Sequence, residues 1–373
     1  MDKKVLFTAD TDEHILSFHL PYLKLFKDEG YEVHVATSGS KEIPYADKRF
    51  TVPFDVSGLS LTNLNSIKTI KNFKEIIEPQ NYEIIHANQT KAGFITRMAA
   101  SNLRKKGTRV IYTAHGFDFY EGSKSAGSIV SLQLEKMLAK YTDTLITVNE
   151  EDYDKALDEL DIEDICNIAG MGVDMSKIEA EVTIEEKNSL KQELVIDKDS
   201  FVILCVGDLC ENKNQGMAIR ALSRIAKNYN NIVLLFAGKD RLNGKYHGMA
   251  SSYDIKNNIR FLGYRNDIEK LMKVSDMLIS CSKIEGMPME IIEAMMCNLP
   301  VVATNCRGTR ELIDNNSNGF LIEIDDDEKM ANAITTILNS KNIIEMFSRT
   351  NMENLEKYKL ENVLEEMESI YFS

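Results

Sequence analysis

Residues 283–304 read "KIEGMPMEIIEAMMCNLPVVAT". The run opens on a turn marked by Gly286 and Pro288 and continues as a mostly apolar helix. It ends almost at once in "PVVAT", a β-branched strand. A helix that hands the chain directly to a short apolar strand is one repeat of an α/β architecture, in which helices cover both faces of a parallel sheet. The same run holds two carboxylates, Glu285 in the turn and Glu293 eight positions later. A helix this apolar is mostly buried, and buried carboxylates need donors.

Working outward, the pattern recurs. Ahead of this run lie "KVLFTA" (4–9), "YEVHVAT" (31–37), "YEIIHA" (82–87), "RVIYTAHG" (109–116) and "DTLITVN" (143–149). "HILSFHLPYLKLFKDEG", with Gly30 as its stop signal, is the helix between the first two. A polar, Glu/Lys-rich stretch (179–200) intervenes. The second series is "FVILCVGD" (201–208), "NIVLLFAGK" (231–239), "NIRFLGY" (258–264), "DMLISCS" (276–282), "PVVAT" (300–304) and "GFLIEI" (319–324). The expectation is two doubly wound, Rossmann-like domains, 1–178 and 179–356, facing a cleft at the carboxyl ends of their strands. A C-terminal helix, 357–373, is expected to return to the first domain.

The length of 373 residues suits two cores rather than one, and 43% hydrophobic with 27% charged residues is a globular balance. A net charge of −14 argues against nucleic acid as a partner. Residues 1–150 hold 19 Lys+Arg against 18 Asp+Glu, and the remainder 25 against 40. The N-terminal part is therefore the less repulsive toward an anionic membrane. Six cysteines form no CxxC pair, and no leader or membrane-spanning run is read, so a cytoplasmic setting is expected.

The loops after the strands carry the candidate chemistry. In "VGDLCENKNQGMAI" a strand ends at Gly207 and a helix starts near Asn214 to Gly216. Lys213 therefore stands beside a helix N-terminus, an anion site in outline, although alone it reads as a solvated lysine. Pro288 fits the first turn of a second helix, with the N–H groups of Gly286 to Met289 offered to a ligand. Glu285 and Glu293 lie within roughly 80° of one helix face, so they can address two ends of one extended ligand. The bland alternative is that Glu285 and Glu290 simply favour the helix dipole. "DTD" (10–12) reads as loop polarity rather than a metal motif. The helix over 61–77 reads as core packing with a lysine-bearing solvated face (Lys68, Lys71, Lys74).

The run "EGMPMEIIEAMMCNLPVVATNCRGTRELIDNNSNGFLI" resembles the E-x7-E region of family 4 glycosyltransferases, which have the GT-B fold. "VGDLCENKNQG", "GMGVDMSKI", "IYTAHGFDFY", "FHLPYLKLFKDEGYEVHVAT" and "YTDTLITVNEEDY" resemble further segments of that family, in its bacterial capsular and exopolysaccharide subgroup. The resemblance covers essentially the whole chain. It implies a retaining transfer of sugar from a nucleotide donor, a UDP-sugar, to a carbohydrate acceptor that is lipid-linked at the inner face of the membrane. It also implies Lys213 on the diphosphate, Glu285 on the donor sugar with the amides of Gly286 and Met287 near it, and Glu293 on the ribose. Tyr264 and Arg265 would lie near the base and His115 would reach the sugar. No cofactor or metal is expected, and the enzyme would be soluble or peripheral at the membrane.

Several residues depart from the family pattern. Asp208 follows Gly207 where relatives often have arginine, leaving Lys213 the larger share of the phosphate. Asp118 adds a charge near His115 with no assigned role, and His86 lacks the second histidine that often accompanies it. Two alternatives stay open: a nucleotide-sugar epimerase of the same fold, and a non-catalytic sugar-nucleotide-binding protein.

Overall fold

The computed structural model describes residues 3–54, 63–120 and 125–372, with the side chains of 352–353 excepted. Two compact units make up the chain: Met1–Met171 with Val363–Ser373, and Gly172–Asn362.

The first unit holds a seven-stranded parallel sheet. Its strands are β1 (Lys4–Thr8), β2 (Glu32–Thr37), β3 (Lys48–Thr51), β4 (Ile84–Asn88), β5 (Arg109–Ala114), β6 (Thr144–Thr147) and β7 (Asp164–Asn167). They lie in the order β3-β2-β1-β4-β5-β6-β7, so the winding reverses between β1 and β4. Leu6, Phe73, Phe94, Ile95 and Val110 are fully buried in one layer of its core. The helix expected over 61–77 spans Leu64–Ile77, and residues 61 and 62 lie outside the described residues.

That core also encloses an ion pair absent from the sequence reading. Arg97 is fully buried, its Nη1 and Nη2 donating to Glu135 at 2.7 and 2.9 Å. Its guanidinium stacks 3.7 Å from the centre of the Tyr112 ring. The C-terminal helix, Leu360–Phe372, carries Tyr371 into the same unit. The Tyr371 hydroxyl bonds His86 Nδ1 at 2.8 Å, and His86 Nε2 bonds Thr113 Oγ1 at 2.7 Å. His86 is thus a satisfied core residue.

The second unit holds β8 (Phe201–Val206), β9 (Ile232–Ala237), β10 (Ile259–Gly263), β11 (Met277–Ser280), β12 (Val301–Thr304) and β13 (Phe320–Ile322). Their order is β10-β9-β8-β11-β12-β13, again parallel, with the reversal between β8 and β11. Ile203, Ile219, Leu222, Leu234, Phe236, Ile279 and Ile334 pack its core. In a doubly wound sheet the loops that leave neighbouring strands at the reversal diverge and open a crevice. The loops after β8 and β11 are those carrying Lys213 and Glu285.

Among the described residues no helix is long and apolar enough to cross a membrane, and all six cysteines are free. The expected loop polarity of "DTD" needs correction. Asp12 is buried, accepting from Thr37, from the Lys41 amide at 2.7 Å and from Arg49 at 2.7 Å. Asp10 accepts from the Ala92 amide at 2.7 Å. Both carboxylates fasten loops.

Candidate active site

In the second unit β8 runs into Gly207, whose φ of +129° is backbone that glycine adopts without strain. A Cβ there would also meet Lys213 Cε at 3.0 Å. Asn214, left-handed at φ 49°, then starts the helix Gln215–Ile225, so Lys213 stands immediately before a helix N-terminus.

The loop after β11 is tied to this one by backbone and side chain. The Lys283 amide donates to the Asn212 carbonyl at 2.8 Å, and Asn212 Nδ2 to the Ile284 carbonyl at 2.9 Å. A third loop, after β12, braces the pair. Buried Arg307 donates from Nε to the Glu285 carbonyl at 2.9 Å. Gly308 packs so close that a Cβ would stand 2.3 Å from the Gly286 carbonyl oxygen. Neither Arg307 nor Gly308 was singled out in the sequence, where nothing local marks them.

These braces bring Lys213 and Glu285 together. Lys213 Nζ lies 2.7 Å from Glu285 Oε1 and 2.8 Å from Glu290 Oε1. Only the Glu290 contact is aligned as a hydrogen bond; Glu285 Oε1 is buried without a donor directed at it. Burial would lower the Lys213 pKa, but Glu290 and then Glu285 outweigh it and hold the ammonium well above its ordinary value. Glu290 is thus the cation's counter-charge as well as a first-turn acid.

Pro288 is not in the first helical turn. It is the N-cap, at ψ 92°, of the helix Met289–Met296. Met287 precedes it, and both are part-buried or buried in the turn. Glu293 follows one helical turn after Glu290. Among the described residues no donor reaches its carboxylate. Burial, reinforced by the Glu290 carboxylate, pushes its pKa up to about 7 despite Lys177.

Tyr264, 63% exposed just after β10, has Lys239 Nζ 5.1 Å from its ring centre. Arg265 is held by Asp267 at 2.7 and 2.8 Å and by Glu193 at 3.0 Å. Asp208 turns away from Lys213, accepting from the Lys239 amide and from Arg241 Nε, each at 2.8 Å.

In the first unit His115 follows β5 at the same end of the sheet as the β1 and β4 loops. Its Nε2 lies 3.2 Å from both His14 Nε2 and Asn88 Oδ1. Burial pushes its pKa down to about 4. The neighbouring Gln89 is held at φ 64°, ψ 164°, a conformation costing roughly 1–3 kcal/mol for a residue with a side chain. A hollow of about 750 Å³ is lined by Arg104, Arg109, Thr144 and Asp164. It opens at the amino ends of β5, β6 and β7, the wrong end of a parallel sheet for chemistry.

Residues 4–149 match the family profile described as glycosyl transferase 4-like, and residues 186–354 the profile of glycosyl transferases group 1. EpsD of Bacillus subtilis, named as a glycosyltransferase, is 33% identical over 372 residues, covering 100% of this chain and 97% of its own. An Escherichia coli enzyme named UDP-Gal:alpha-D-GlcNAc-diphosphoundecaprenol alpha-1,3-galactosyltransferase is 28% identical over 332 residues, 86% and 84% of the two chains. The fold matches Anabaena HepE in complex with UDP-glucose at a TM-score of 0.79 and 20% identity, over 99% of both chains. The chain belongs to the family 4 glycosyltransferases and has their GT-B fold.

Proposed function

We propose that this glycosyltransferase moves a sugar from a UDP-linked donor to a lipid-linked carbohydrate acceptor, with retention of configuration, in assembly of a bacterial surface polysaccharide. The observation that carries the reading is the convergence of Lys213, Glu285 and the Gln215–Ile225 helix N-terminus at the reversal point of the second sheet. Cleaving a sugar–phosphate bond builds charge on the departing diphosphate. An ammonium and a helix N-terminus fixed beforehand stabilise that charge, so the reading needs no metal there.

On this reading the diphosphate takes the place of Glu290 on Lys213. Sugar hydroxyls donate to Glu285, whose buried Oε1 lacks an aligned donor, with the amides of Gly286 and Met287 beside them. Ribose hydroxyls donate to Glu293, and the base lies near Tyr264 and Arg265. The leaving phosphate accepts the acceptor's proton. The donor and acceptor classes are supported by HepE's UDP-glucose complex and by the undecaprenol-linked substrate in the E. coli relative's name. Peripheral membrane contact is supported by Leu64 and Ile67, exposed beside Lys68 and Lys71.

The test is a panel of UDP-sugars with an undecaprenyl-diphosphate-linked sugar, read as UDP release and product mass. Release that requires acceptor supports the proposal. Conversion of the donor without acceptor indicates an epimerase, and binding without turnover a non-catalytic protein.

A further inference from the structure

The helix after β1 is interrupted. Asp12–His14 is α-helical, Ile15–His19 is a π-turn, and α-helix resumes over Leu20–Asp28. Residues five apart on an α-helix point about 140° from each other. The i→i+5 bonding of a π-turn brings them toward one face, and such turns recur at functional sites. Here His14 and His19 end with ring centroids 5.0 Å apart. The ring of His115, after β5, stands 4.4 Å from that of His14 and 5.9 Å from that of His19.

We propose that His14, His19 and His115 form a three-imidazole site for a divalent transition-metal ion of the zinc class. One ring nitrogen from each converges so that all lie within 4.8 Å of one another. A tetrahedral ion with nitrogens at about 2.0–2.1 Å needs them about 3.3 Å apart; His14 Nε2 and His115 Nε2 are 3.2 Å apart. Asn88 Oδ1, 3.2 Å from His115 Nε2, supplies an oxygen beside one of the three rings.

A plain hydrogen bond between two imidazoles accounts for the His14–His115 contact but not for His19. That side chain is fully buried, and neither its Nδ1 nor its Nε2 has a partner. Buried polar atoms are nearly always satisfied, and an orphan of this kind calls for a partner from outside the chain. The site lies wholly in the first unit and does not depend on the donor reading above.

The test uses the tag-free full chain, stripped with chelator and titrated with Zn²⁺ by calorimetry, with Co²⁺ absorption reporting ligand type. Saturable binding of one equivalent is expected, with a nitrogen-ligated, four-coordinate cobalt spectrum. Removing a direct ligand should weaken binding more than the roughly 100-fold that losing an outer partner costs. His19→Ala and the less buried His14→Ala should each do so, with folding of both checked by circular dichroism. No saturable binding by the native chain overturns the site. So does unchanged affinity in a folded His14→Ala or His19→Ala variant, or a thiolate-type cobalt spectrum.

Discussion

Lys213 donates from Nζ to Glu290 Oε1 at 2.8 Å, while Glu285 Oε1 lies 2.7 Å from the same nitrogen without alignment. One cation thus serves two carboxylates, and the cluster carries surplus negative charge where an anionic ligand is proposed to bind. Glu290 competes with that ligand for the ammonium. Glu290→Gln should therefore tighten UDP binding by about 1 kcal/mol, roughly fivefold in Kd. Calorimetric titration of both proteins checks it, and a weaker complex in the variant would make Glu290 part of the ligand's cradle instead.

Glu285 has a different expected signature. Its buried Oε1 awaits a donor, and hydrogen bonds to a sugar gaining positive charge strengthen toward the transition state. Glu285→Ala should lower kcat by about 10²–10³-fold with a smaller change in KM. A loss confined to KM would reassign it to ground-state binding.

Glu293 supplies a pH dependence. Its folded pKa of about 7 lies above the ordinary 4.5, so the folded protein resists ionising it. The unfolded chain loses this proton first as pH rises, and the resulting cost to stability grows between about pH 4.5 and 7 and is complete above it. Glu293→Gln should raise stability by about 1–3 kcal/mol at pH 8 and by little at pH 4.5. Ribose donors favour the carboxylate, so native UDP affinity should rise through pH 7 while the variant's stays flat and weaker. Denaturant melts and titrations at several pH values read both effects.

The Arg97–Glu135 pair tests the scaffold apart from the site. Both residues are buried, so Glu135→Ala strands a guanidinium and should cost about 3–5 kcal/mol. Tyr371→Phe removes the partner of His86 Nδ1 and should cost about 1–3 kcal/mol. Chemical denaturation measures each.

Eleven strands were legible because each gathers apolar, often β-branched residues between turn residues. The two that were not, β3 ("KRFT") and β7 ("DICN"), are polar edge strands of the first sheet in which no residue is buried, so they carry no apolar run to read. The π-turn was hidden because its apolar spacing barely differs from that of an α-helix. Lys213 and Glu285 were found by their positions after strands. The Lys213–Glu290 pairing spans 77 residues and the Arg97–Glu135 pairing 38, and no local period encodes either. Pro288 was misplaced by one position, within the usual fraying of helix ends.

The central claim is that Lys213, poised at the reversal of the second sheet, holds the diphosphate of a nucleotide. Calorimetric titration of the native chain and of Lys213→Ala with UDP tests it most directly, with thermal melts confirming that the variant is folded. Saturable binding by the native chain, weakened at least tenfold in the variant, is predicted. A flat native titration, or equal affinity in a folded Lys213→Ala, would contradict it.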